Sequence, residues 1–182
     1  MESENAKGAR ENPDTKTKWV VGLSQGTKNH PFRVAMDDVN IKYAKEHYPE
    51  MMIVETDGNN KSSKQVNDVE DLIARGIDLL LISPLTSEAL TDVCQKAMDM
   101  GIPVVTLDRN VNCPVTCYIG AENKPMGRAA ADLLAKMVGG KGNIIEIQGT
   151  AGASATIDRH TGFVERIGEK YPGMKKIGRA HV

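Results

Sequence analysis

The most pointed chemistry in the chain sits where an apolar run ends. Val104-Val105-Thr106-Leu107 is followed at once by Asp108 and Arg109, an acid and a base brought to the edge of the core. A carboxylate accepts hydrogens from two hydroxyls at once, and a guanidinium donates in a fixed fork to hydroxyl or ring oxygens, so the pair suits recognition of a polyol. The structural alternative is an ion pair between the two at the rim. Arg33 and Arg159 offer further forks. Phe32 offers an apolar face to the carbon side of a sugar ring, although a first-turn aromatic serves equally well as core.

Other chemistries lack their residues. No Ser, His and acid arrangement accompanies a nucleophile elbow, and the glycine-rich segments Gly139-Gly140-Lys141-Gly142 and Gly149 to Gly152 lack P-loop spacing and its terminal Lys-Ser/Thr. Asp57 ends an apolar run as a phosphoacceptor would, but Gly58-Asn59-Asn60 follows it and no acidic pair follows the first strand. Neither the scattered histidines nor the cysteines have metal-ligand spacing. Cys94 shares a helical face with Leu90, Val93 and Ala97 and reads as core, whereas Cys113 and Cys117 flank Pro114 in a turn from which they could pair. A binding protein is therefore expected rather than an enzyme, with no catalytic residues, no metal and no cofactor.

The polar residues need elements to carry them. Short apolar runs alternate with stretches of helical period, the pattern of a parallel sheet wound on both faces. Strands are expected at Trp19 to Ser24, Met52 to Asp57, Leu79 to Ser83, Val104 to Leu107, Cys117 to Gly120 and Asn143 to Gln148. The first helix opens near Pro31 and should bury Phe32, Ala35, Met36, Val39 and Tyr43. The second opens at Ser62, with Gln65 placed to complete a capping box and Val66, Val69 and Ile73 as its buried stripe. A fourth helix from Asn123 should bury Met126, Ala130, Leu133, Leu134 and Met137, and a fifth from Ser154 should bury Phe163, Val164 and Ile167. Gly76, Gly101 and Gly139 punctuate helix ends. Another strand is expected at Ile177 to Val182, where the chain stops short of completing the alternation.

In such sheets ligands gather at the carboxyl ends of the strands. Those ends here are Ser24 to Arg33, Asp57 to Asn60, Ser83 to Thr86, Asp108 to Asn110, Ala121 to Asn123 and Gly149 to Ser154, all rich in hydrogen-bonding side chains. Helix capping accounts equally for Asn59, Thr86, Asn123 and Ser154.

The chain is 182 residues long, 40% hydrophobic and 26% charged, enough for one core or two small ones. Lys and Arg number 23 against 24 Asp and Glu, so the net charge of -1 gives no electrostatic reason to expect nucleic acid or an anionic membrane as partner. No apolar run approaches the roughly 20 residues of a membrane span. The polar segment 1–17 reads as a disordered tether.

These residues together resemble a known family, the sugar-binding proteins of ABC importers with the type I periplasmic fold, in particular its ribose and galactofuranose branches. Val105-Thr106-Leu107-Asp108-Arg109 is similar to the family segment ending in a sugar-binding Asp-Arg pair. Glu146-Ile147-Gln148-Gly149-Thr150-Ala151-Gly152-Ala153-Ser154, continuing through Ile157-Asp158-Arg159 to Gly162-Phe163, is similar to its second-lobe motif. The resemblance runs from about Lys18 to Gly178 and implies an α/β, doubly wound parallel architecture with a complete first lobe at 18–122 and an incomplete second lobe at 123–182. It implies ligand contacts at Phe32, Asp108, Arg109, Asn123, Arg159 and Ser83. His30 stands where the ribose branch has Asn, and Arg33 where it has a second aromatic, which points toward a furanose or small polyol.

The same resemblance implies capture of a monosaccharide for ABC permease subunits, in a periplasmic or extracellular lipoprotein whose signal peptide is absent here and whose tether anchors it to the membrane. The alternative class is the effector domain of a sugar-responsive regulator or sensor, but the short leader cannot form a helix-turn-helix. With half of the second lobe's strands wanting, association or domain swapping is also expected.

Overall fold

The computed structural model describes residues 19–181, so the tether expected at 1–17 lies outside the described residues. The chain divides between Ile119 and Gly120 into two compact units; from sequence the first was expected to run to Glu122.

In the first unit β1 (Trp19–Gln25), β2 (Met51–Asp57), β3 (Leu79–Ser83), β4 (Val104–Leu107) and β5 (Cys117–Ile119) form one sheet in the order β2-β1-β3-β4-β5. Every pairing is parallel, and α1 (Pro31–His47), α2 (Ser62–Ala74) and α3 (Ser87–Asp99) make the crossovers. The step from β1 to β2 runs one way across the sheet and the steps to β3 and β4 run the other. Right-handed crossovers therefore put α1 on one face and α2 with α3 on the opposite one. Leu80 and Ile82 turn to the α2 and α3 side and pack with Val69, Leu72, Ile73, Leu90, Val93 and Cys94. Burial there pushes the Cys94 thiol up to about 12, so it is an inert core residue. Cys113 and Cys117 are free thiols.

The other face departs from expectation. Phe32, Val39 and Tyr43, expected as the buried stripe of α1, are exposed, and the helix buries Arg33, Asp37 and Ala44 instead. Position explains this. The early turns of α1 lie against Gln25 and Ser83 at the carboxyl edge of the sheet, where the strands present hydrogen-bonding groups rather than apolar surface. Further down the helix, Val39, Tyr43 and Ala44 flank an open apolar groove over Val21, Ile53, Leu79 and Leu81.

The second unit pairs β6 (Gly142–Gln148) with β7 (Met174–His181) in parallel, and α4 (Asn123–Met137) packs on α5 (Ser154–Lys170). The core is small: Ala135, Ile144 and Met174, with Leu134, Phe163, Ile167 and Tyr171 partly buried against it. Here too the large residues mislead. Met126, Leu133 and Met137 of α4 are exposed, as is Val164 of α5. What α4 buries is the stripe Asn123, Gly127, Ala131 and Ala135. These side chains are short, which lets two helix backbones approach one another.

The approach is tightest at two glycines. A Cβ on Gly127 would lie 2.0 Å from the Arg159 carbonyl oxygen, and one on Gly162 would lie 2.0 Å from that of Lys124. Beyond the crossing, Arg166 holds Asp132 through Nε and Nη2 at 2.7 and 2.8 Å, and Tyr171 donates to the same carboxylate at 2.7 Å. These contacts hold the Asp132 carboxyl down at about 2. Gly127→Ala is expected to force α4 from α5 and to destabilise the second unit by at least about 3 kcal/mol, the upper range for overpacking a close contact. Chemical denaturation with hydrogen exchange resolved by unit checks this, and amides in β1 to β5 should keep wild-type protection.

Candidate functional site

The candidate residues of the first unit lie on neighbouring strand ends. Register aligns Gln25 of β1 with Ser83 of β3, and Asp108 follows the last residue of β4. Arg33 of α1 spans them. Its guanidinium donates from Nη1 to the Ser83 hydroxyl and from Nη2 to Asp108 Oδ2, both at 2.6 Å. The Arg33 side chain is 8% exposed and that of Asp108 26%. The carboxylate is thus paired across the sheet from α1, and it retains lone pairs for further hydroxyl donors. Phe32, one residue before Arg33, is half exposed, with the Arg33 guanidinium carbon 5.3 Å from its ring centroid.

Backbone geometry aims the acid. Asp108 has φ of 61°, a left-handed conformation uncommon outside glycine, asparagine and aspartate. Its N–H donates to the Ile119 carbonyl at 2.8 Å and its carbonyl accepts from the Tyr118 hydroxyl at 3.2 Å. The chain therefore turns sharply off β4, and Arg109 reaches away to donate from Nη1 to the Leu85 carbonyl at 3.0 Å. His30 is the N-cap of α1, where its Nδ1 accepts from the Phe32 N–H at 3.2 Å. Ser83 is buried beneath Arg33.

Sequence reasoning missed the residue beneath this rim. Gln65 was expected in a capping box with Ser62, but α2 is capped at Lys61 without a side-chain bond. The glutamine is fully buried instead. Its amide donates to the Ser83 carbonyl at 3.1 Å and to the Ser24 carbonyl and hydroxyl at 3.4 and 3.3 Å. Its own carbonyl accepts from the Leu85 N–H at 2.8 Å. One side chain ties the ends of β1 and β3 to the loop after β3. Gln25 and Asp37, also missed, are bonded to each other at 2.9 Å behind Arg33. The available signal was polar residues at helical spacing, Arg33 and Asp37, within the first turns of α1.

In the second unit Asn123 is buried in the first turn of α4. It is not the cap, a place held by Glu122. Its Nδ2 donates to the Ala121 carbonyl at 3.0 Å and its Oδ1 accepts from Arg159 Nε at 2.8 Å. Arg159 is exposed on α5. Among the described residues no group of His, Cys, Asp and Glu is placed to hold a metal ion, and no helix is long and apolar enough to cross a membrane.

Comparison with known proteins gives this arrangement its class. Residues 21–181 match the periplasmic binding protein domain, and the chain belongs to that family. It is 39% identical over 153 residues to the ribose import binding protein RbsB of Bacillus subtilis (strain 168), an alignment covering 84% of this chain and 50% of that protein. It is 34% identical over 163 residues to the galactofuranose-binding protein YtfQ of Escherichia coli (strain K12), covering 87% and 50% respectively. Among solved structures, the fructose-binding periplasmic domain of a hybrid two-component system superposes with a TM-score of 0.83 at 32% identity, over 90% of this chain and 54% of that one. The chain spans about half the length of the curated relatives it matches.

Removing the buried amide tests whether the rim depends on it. Gln65→Ala takes the acceptor from the Leu85 N–H, at about 1 to 3 kcal/mol for a buried group left unsatisfied, while the Ser83 carbonyl still accepts from the Gly26 N–H. The urea midpoint of the first unit should fall accordingly, while the Asp132 contacts of the second unit, followed by NMR, stay unchanged.

Proposed function

We propose that this chain is the sugar-capturing part of a solute-binding protein serving an ABC importer, and that it is not an enzyme. The observation that carries this is the Arg33 and Asp108 pair at the carboxyl edge of the first sheet, with the Phe32 ring beside it in the open. A charged acceptor, a forked donor and an apolar face are the three contacts a sugar ring requires. Arg109, at the same strand end and bonded to the Leu85 carbonyl, is assigned to ligand contact with these residues. We assign His30 and Ser83 to positioning and direct contact at this rim, and Asn123 with Arg159 to the ligand contacts of the second unit. The names of the relatives support a sugar: ribose and galactofuranose among the curated proteins, and fructose for the solved domain.

A furanose or small polyol is favoured, because Arg33 replaces an apolar wall and each of its terminal nitrogens keeps one hydrogen, beyond those given to Ser83 and Asp108, for an exocyclic hydroxyl arm. Permease subunits, a periplasmic or extracellular location and a membrane-anchoring role for residues 1–17 belong to the same proposal. The fructose-binding domain comes from a hybrid two-component system, which supports a sensor as the second reading.

Calorimetric titration against a panel of aldoses, ketoses, furanosides and polyols tests the ligand class, and a preference for an amino acid or an aromatic compound overturns it. Asp108→Ala should weaken sugar binding by at least about a hundredfold, since a charged hydrogen bond contributes about 1.5 to 3 kcal/mol and a carboxylate makes more than one. Binding within threefold of wild type, with the fold intact, would return Asp108 to a purely structural ion pair.

Association of the 182-residue chain is part of the same proposal. Ile145, Ile147 and Ile177 are 68%, 72% and 62% exposed on the two-stranded sheet, an apolar surface that favours self-association. Light scattering should show species larger than a monomer; a monodisperse monomer contradicts the expectation.

A further inference from the structure

Behind Arg33 lies a charged cluster that no sugar contact uses. Asp37 sits one helical turn after Arg33 on the buried side of α1, and its side chain is 0% exposed. Oδ1 accepts from the Gln25 amide at 2.9 Å. Oδ2 is buried without any hydrogen-bond partner. Lys28, from the loop between β1 and α1, stands 4.0 Å from that oxygen and gives its close ion pair to Glu55 of β2. Lys28 therefore has the Asp37 and Glu55 carboxylates on either side of one ammonium, so that Glu55 acts on Asp37, and Asp57 at the end of β2 also acts on Lys28.

Lys28 gives its close contact to Glu55 and stands too far from Asp37 Oδ2 to hydrogen-bond it, so that buried oxygen is an acceptor without a hydrogen. Both ionised, the Asp37 and Glu55 carboxylates would repel in a place where only one ammonium is at hand, and a buried oxygen left unbonded is costly. One hydrogen placed on Asp37 Oδ2 resolves both problems, because it can be donated to Glu55 while Glu55 stays paired with Lys28.

We propose that Asp37 and Glu55 share a single proton and, with Lys28, form a pH-responsive clasp that seats the first turns of α1, and with them Arg33, on the sheet. The clasp goes beyond the sugar reading and does not rest on it. Burial, only partly offset by the Gln25 amide and reinforced by the Glu55 charge, raises the Asp37 carboxyl from 3.8 to about 6. Burial pulls the Lys28 ammonium down, but Glu55 with Asp37 and Asp57 more than restores it. Over that interval the folded protein keeps a proton that an unfolded chain has released. Stability from the clasp is therefore greatest at the acid end, falls as pH rises through about 6, and stays lost above it.

The test uses the 182-residue chain. Carboxyl-carbon NMR should show Asp37 titrating near 6. Hydrogen exchange of the amides in the first two turns of α1, corrected for intrinsic rates, should show about tenfold or more loss of protection between pH 5 and 7.5, tenfold being the effect of one pK unit. Asp37→Asn preserves the acceptor for Gln25 and supplies a permanent N–H for Glu55. It should fold, match the wild-type protection at pH 5 and keep it at pH 7.5. Glu55→Gln, which removes the facing charge, should lower the Asp37 midpoint. A midpoint at or below 3.8 overturns the shared proton, and so does an Asp37→Asn protein whose α1 protection falls with pH as the wild type's does.

Discussion

A guanidinium buried at the carboxyl edge of a parallel sheet has to be neutralised, and the first unit is arranged around doing so for Arg33. Its two terminal nitrogens are taken by Ser83 and Asp108 at equal distances of 2.6 Å, which ties the start of α1 to the carboxyl ends of β3 and β4. An unpaired charge there would cost several kcal/mol, so the helix cannot shift along the sheet without losing both bonds. The strand ends cannot shift either, since Gln65 ties β1, β3 and the loop after β3 from the other face. The polar rim is thus held from above by an ionic contact and from below by a neutral one. Asp108 keeps lone pairs beyond the one taken by Arg33, and the Phe32 ring beside it stays half exposed.

The second unit solves a similar problem with almost no charge at its centre. Its core holds few fully buried apolar residues, and backbone contact between α4 and α5 does much of the packing. The ionic contacts of Asp132 with Arg166 and Tyr171 lie on the outside of this helix pair and are partly solvated, so they guide the pairing more than they stabilise it. One face of the two-stranded sheet carries the helices; the other leaves three isoleucines largely in water.

Much of this was legible in the residues. The parallel order of short strands followed from uninterrupted apolar runs, and even the terminal strand was visible, expected from Ile177 and starting at Met174. The candidate rim was legible because charge directly after an apolar run is hard to place elsewhere. Side-chain size was the poor guide. In α1 and α4 the large apolar residues formed a stripe that the structure leaves exposed. One helix meets polar strand ends, and the other is drawn so close to its neighbour that only short side chains fit. The role of Gln65 was hidden by a genuine local pattern, since Ser62 and Gln65 have capping-box spacing; its bonds to Ser24, Ser83 and Leu85 are a tertiary effect that no local pattern records.

The close crossing of α4 and α5 bears on Arg159 in particular. The atom nearest Gly127 is the main-chain oxygen of Arg159 itself, so this arginine leaves the helix at the least yielding point of its unit. Its root is located by main-chain contact, and its Nε is spent on Asn123. A long side chain ordinarily surrenders rotamer freedom when it engages something, at about 0.5 to 1.5 kcal/mol. Here much of that freedom is already gone before any encounter. The arginine behaves less like a flexible arm than like a fixed bracket, rooted at the helix crossing and tied through its Nε.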